Sequence, residues 1–103
     1  DLLITCDASK LDERGMRGAP DWVVEVLSQA TSGHDQTVKL FAYERAGVRE
    51  VWLVHPGDRV VTIYRLIGTA YGRPAVVEMT GQLKVGSVPG VSIDWATVLV
   101  RLV

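Results

Sequence analysis

The chain has 103 residues, 48% of them hydrophobic and 22% charged, with a formal net charge of −1 and one cysteine. That length supports one domain with its own core, and the composition is that of a globular protein. No apolar run reaches a membrane span, Cys6 can form no intrachain disulfide and suits a reducing cytoplasm, and near-neutral charge argues against indiscriminate nucleic-acid binding.

The chain opens on Asp1 and runs directly into an apolar strand, Leu2-Leu3-Ile4-Thr5-Cys6. A start without Met or lead-in suggests that further N-terminal elements complete the domain. Residues 7–19 are polar and carry Lys10, Asp12, Glu13, Arg14 and Arg17 with two glycines, so they read as a loop with at most one short turn. Lys10, Arg14 and Arg17 would suit a phosphate backbone or simply solvent.

Pro20-Asp21-Trp22-Val23-Val24-Glu25-Val26-Leu27-Ser28 is the most informative segment. Its β-branched run, bounded by Pro and Ser, reads as a strand buried on both faces. Glu25 interrupts it at the centre. An ionised carboxylate buried alone costs several kcal/mol, so Glu25 requires a cation, a metal or a hydrogen-bond donor. Alternation places Asp21, Val23, Glu25 and Leu27 on one face.

Ser32-Gly33-His34-Asp35 matches a capping box, and a helix to about Ala46, closed by Gly47, follows. Apolar periodicity gives it an inner face of Val38, Phe41, Ala42 and the stem of Arg45. Asp35, Lys39 and Tyr43 recur at i, i+4 and i+8 and form one polar row. Glu50 to Val54 is a second apolar strand, joined through His55-Pro56-Gly57-Asp58 to a strand over Arg59–Leu66 as an antiparallel hairpin. Ala75 to Met79 is a weaker strand. A turn at Val88-Pro89-Gly90 leads to a helix over about Ile93–Val100. The order predicts an α/β fold with a mixed sheet flanked by helices.

Two strands offering acids and a helix offering Lys39 make a set that could surround a hard cation such as Mg²⁺. Asp1, Gly18 to Ser28, the row Asp35, Lys39 and Tyr43, and Gly47-Val48-Arg49-Glu50-Val51-Trp52-Leu53-Val54 together resemble the Uma-two family. These are restriction-endonuclease-like proteins of the PD-(D/E)xK nuclease superfamily, and the likeness runs through Pro89-Gly90-Val91-Ser92. The resemblance implies a restriction-endonuclease-like fold and Mg²⁺- or Mn²⁺-dependent hydrolysis of DNA phosphodiester bonds. It makes Asp1 and Glu25 the metal-binding acids and Lys39 the catalytic lysine, displaced onto the helix because Leu27 occupies the position two beyond Glu25. Asp21 and Asp35 match positions near the site. The chain departs from the family at His55, where an acid is usual, and at Gln29-Ala30, which replaces Ser-Pro-Ser.

Each residue also has a plainer reading. Glu25 would be a structural acid paired with Lys39 or Arg45, Asp35 the capping acid, Asp21 a strand opener, and Lys39 a solvated partner of Asp35. Tyr43 reads as packing with its hydroxyl at the rim, and the three tryptophans as core or interface anchors. His34, His55 and Cys6 lack zinc-like spacing, and Ser28, His34 and Asp35 lie too close in sequence for a hydrolase triad. Two rival functions remain in view. One is a non-catalytic module that dimerises or recruits a partner through the hairpin Val51–Tyr64; the other is a metal-dependent hydrolase of a small phosphorylated substrate.

Overall fold

The computed structural model describes residues 2–4, 11–12, 15–16, 21–27 and 33–97, with side chains described over 21–27 and 36–97. Its elements in order are β1 (Leu2–Ile4), β2 (Leu11–Asp12), β3 (Gly15–Met16), β4 (Trp22–Val26), α1 (Gly33–Ala46), β5 (Glu50–His55), β6 (Val60–Ile67), β7 (Ala70–Tyr71), β8 (Ala75–Glu78), β9 (Gln82–Lys84) and β10 (Ser92–Asp94). The main sheet has six strands in the order β1-β4-β5-β6-β7, with β8 pairing along the other half of β6. β4 and β5 are parallel and the other pairs antiparallel, so the sheet is mixed.

The parallel pair dictates the position of the helix. Two adjacent parallel strands need a crossover long enough to return the chain to the same end, and α1 supplies it. It ends at Gly47, whose φ of 85° is costly for any residue with a Cβ. The Gly47 amide donates to Glu44 O (3.1 Å) and the Val48 amide to Tyr43 O (3.0 Å), which is a Schellman closure. Val48 then enters the core fully buried.

Two apolar layers form on the two faces. On the helix side Val23, Val48, Val51 and Leu53 are buried, with Leu27, Leu40, Tyr43, Tyr64 and Tyr71 packed against them. On the other side Trp22, Trp52 and Trp95 stack beside Val54, Val61, Ile63 and Met79 under the β9–β10 ribbon. Trp22 meets Trp52 edge to face at 4.9 Å, a favourable quadrupole arrangement, and Trp52 meets Trp95 at 6.1 Å. All three tryptophans are therefore core residues. The hairpin is equally internal: Val51, Trp52, Leu53, Val54, Val61 and Ile63 are buried by the chain itself, which leaves those side chains no part in a docking surface.

Four expectations need correction. The inner face of α1 is formed by Leu40 and Tyr43, whereas Val38 and Phe41 are more than half exposed. Both sets recur at helical spacing, so periodicity alone does not choose between them; the face turned inward is the one that reaches Glu25. β4 is buried on both faces only over its first part, since Val26 is exposed. The loop over 7–19 contains the two-residue pair β2–β3. Finally, Ser92–Asp94 form a strand paired with β9, and helical residues begin only at Trp95. The Asp94 carboxylate accepts from the Ala96 amide (3.1 Å) and so caps that turn. The turn before it is as expected, with Val91 N donating to Val88 O (3.2 Å) and Gly90 at a φ of 80°.

Candidate active site

β4 delivers Glu25 to the helix side of the sheet, between Val23 and Leu27 in the alternation. Only 4% of Glu25 remains exposed. A carboxylate this deep requires donors, and α1 supplies two from consecutive turns. Tyr43 donates its phenol to Oε1 in a very short contact, and Lys39 lies with Nζ 3.4 Å from Oε2. The i, i+4 spacing of Lys39 and Tyr43 puts both over the same strand residue. Glu25, Leu27, Gln36, Lys39, Leu40, Tyr43 and Leu53 line a narrow crevice between β4 and α1.

The two donors differ in character. The Tyr43 ring packs into the helix-side core, while the Lys39 side chain is about half exposed. An ion pair with one partner in solvent and a separation of 3.4 Å adds on the order of 1 kcal/mol or less to stability. Burial, and after it the hydrogen bond and charge of Glu25, raises the Tyr43 pKa well above the usual tyrosine value. The phenol accordingly stays protonated at neutral pH and remains a donor.

Other expected site residues fall differently. Asp1 lies outside the described residues. Asp35 stands in the first turn of α1, one turn before Lys39, and its side chain is outside the described set. Asp21 is buried on the same strand face as Glu25. Four extended residues separate them by roughly 13 Å, too far to share one ion. Its carbonyl accepts from the Glu50 amide (3.2 Å), which registers β4 on β5. His55 follows Leu53 on the Glu25 face, and Thr62 Oγ1 lies 3.2 Å from its Nε2. Tyr43 is not a rim residue, because its hydroxyl ends on Glu25.

A second buried acid escaped the sequence reading. Glu50 is 1% exposed at the head of β5 and points to the opposite face. Trp52 Nε1 (2.6 Å), the Ser87 amide (3.0 Å) and Arg65 Nε (3.4 Å) all donate to it. The signal was present in Glu50-Val51-Trp52-Leu53-Val54, an acid opening an apolar run. A strand end is ordinarily wet, and the segment carrying Ser87 helps to close this one. Three donors thus hold Glu50 within the fold, on the face opposite Glu25.

Among the described residues no group of three or more His, Cys, Asp and Glu side chains comes together. The described part of the site therefore supplies one carboxylate and one ammonium. A model of the Uma2 family, "Putative restriction endonuclease", matches residues 1–96. The chain belongs to the Uma2 family. A solved structure of "a putative nuclease belonging to DUF820" from Anabaena variabilis has the same fold, with a TM-score of 0.69 at 22% identity. The match covers 92% of this chain and 56% of that one, so this Uma2 chain spans little more than half the length of its structural relative. No protein of curated function matches it in sequence. Among the described residues no helix is long and apolar enough to cross a membrane.

Proposed function

We propose that this Uma2 chain is a metal-dependent endonuclease that hydrolyses phosphodiester bonds in DNA. The observation that carries the reading is the convergence of Glu25 and Lys39 across the seam between β4 and α1. A buried acid and a half-exposed ammonium on a crevice wall are the groups that phosphodiester hydrolysis uses. Family membership directs that chemistry towards nucleic acid.

Glu25, with Asp1, would hold Mg²⁺ or Mn²⁺, which prefer carboxylate oxygens and retain bound water. One carboxylate alone makes a poor site for such an ion, so the fit depends on that second acid. The register that pairs Leu2 with Val24, next to Glu25, supports it. The ion, when bound, would lower the pKa of a water and polarise the phosphate. Lys39 would orient that water or meet the charge that builds on the phosphate oxygens. Its side chain is about half exposed and lines the crevice beside Glu25, where a phosphate would meet it. The apolar walls, Leu27, Leu40 and Leu53, keep the acid dry on its inner side and strengthen each charge contact.

Nicking of supercoiled plasmid with Mg²⁺ or Mn²⁺ tests the reading, with Glu25→Ala and Lys39→Ala alongside. The expected result is metal-dependent nicking by the wild type and a loss of at least about 100-fold in each variant. Folded wild-type protein that cuts in neither metal would refute it.

A further inference from the structure

We propose that the outer edge of β8 is a pairing surface for a second copy of this chain, joined antiparallel about a two-fold axis at Val76. This edge is separate from the Glu25 crevice and does not depend on its chemistry. β8 pairs with β6 on one side, and among the described residues no strand pairs with its other side. Arg73, Pro74, Ala75, Val76 and Glu78 are all exposed there.

The register decides which backbone groups face outward. Val61 stands opposite Val77 and Ile63 opposite Ala75. The Met79 amide donates to Arg59 O (2.9 Å), which continues that register. Ala75, Val77 and Met79 therefore turn their N–H and C=O groups towards β6, because those groups alternate along an antiparallel pair. The far side of β6 has the same phase: the Leu66 amide donates to Arg49 O (2.8 Å), so Leu66, Tyr64 and Thr62 serve β5 and leave Ile63 and Val61 to β8. Val76 and Glu78 must then face out. The Pro74 carbonyl faces out with them, since in a trans peptide it points opposite to the Ala75 N–H.

These outward groups complement themselves. With Val76 opposite Val76 of the second copy, each Val76 N–H meets the other C=O, and each Glu78 N–H meets the other chain's Pro74 C=O. That makes four hydrogen bonds, two donated by each chain. Nothing is left orphaned: Pro74 has no N–H, and the Glu78 carbonyl that would have faced it already accepts from the Thr80 amide (2.9 Å). A shift of two residues one way sets each Val76 C=O against a proline nitrogen. A shift the other way aims each Val76 N–H at the occupied Glu78 carbonyl.

The side chains agree with that register. It separates the two Glu78 carboxylates by roughly 13 Å along the ladder and sets each beside the Arg73-Pro74 end of the other chain, where the charge is opposite. A parallel pairing would align Glu78 with Glu78, which is unfavourable. Val76 lies across from Thr62, outside the cluster that α1 covers, and is 63% exposed. Across the two-fold axis it covers its twin.

Sedimentation equilibrium of the intact protein up to millimolar concentration tests this, with Val76→Lys and Val38→Lys alongside and far-UV circular dichroism to verify folding. Val38, 53% exposed on α1, controls for apolar surface in general. The expected masses are two chains for wild type and Val38→Lys, and one chain for Val76→Lys. In a Cys6→Ser background, Val76→Cys should cross-link under copper–phenanthroline oxidation, because bonded opposite residues have Cα atoms about 5.5 Å apart, within disulfide reach. Glu78→Cys should not. Wild type at the mass of one chain throughout, a dimer retained in Val76→Lys, or equal cross-linking at both positions would each overturn the proposal.

Discussion

Replacing Glu50 by Ala tests whether a buried acid remote from the site carries the fold. Three donors converge on this carboxylate, and their surroundings differ. Trp52 is 1% exposed, so its indole N–H has no route to water once the acceptor is gone. The Ser87 amide belongs to the segment that Glu50 ties down across 37 residues of sequence. Arg65 is about half exposed and can rehydrate. Each orphaned buried donor costs about 1–3 kcal/mol, whereas the half-solvated ion pair contributes at most about 1. The two trapped donors therefore dominate, and the expected loss is about 3 kcal/mol, a large share of the roughly 5–15 available to a domain. For a chain of this size that lowers the melting temperature by about 12–24 °C. Urea titration followed by far-UV circular dichroism measures it without using the perturbed tryptophan as reporter. Arg65→Ala should cost less than about 1 kcal/mol in the same assay. A Glu50→Ala loss under about 1 kcal/mol, or an Arg65→Ala loss equal to it, would refute the account.

Two more outcomes follow from geometry already described. Gly47→Ala places a Cβ at a φ of 85° and should cost about 1–2 kcal/mol, seen as an earlier urea midpoint with an unchanged slope; open space around the site excludes a clash as the cause. Burial, and then the Glu44 carboxylate, pushes the Tyr71 hydroxyl up to about 12. The folded value thus exceeds the unfolded value of about 10, so Tyr71 stabilises the fold fully below pH 10 and loses that contribution as the pH rises towards 12. Thermal melts across that range should show a decline that is shallower in Tyr71→Phe. Tyr43, raised in the same direction, contributes to the slope that remains. Identical pH profiles for the two proteins would contradict this assignment.

Much of the architecture was legible locally. Apolar runs bounded by Pro, Gly and Ser marked β4, β5 and β6, and the Gly47 stop marked the end of α1, because these signals act within a few residues. Glu25 announced itself for the same reason: a charge inside an apolar strand needs a partner wherever the chain finds one. The short strands β7, β9 and β10 left no such mark. Ser92-Ile93-Asp94 reads equally well as the start of a helix, and only pairing with Gln82–Lys84 makes it a strand.

What the sequence determined, then, is the main elements β4, α1, β5 and β6, the interruption at Glu25 and the polar row of α1, since each depends on spacing along one strand or one helix. Tertiary structure alone decided which helix face turned inward, because Val38 and Phe41 have the same periodicity as Leu40 and Tyr43. It turned Tyr43 from a packing residue into a donor for Glu25, and it buried Glu50 by folding the Ser87 segment over a strand end. These choices depend on groups far apart in sequence, where the need of a buried carboxylate for donors outweighs the small preference for burying one apolar stripe over another.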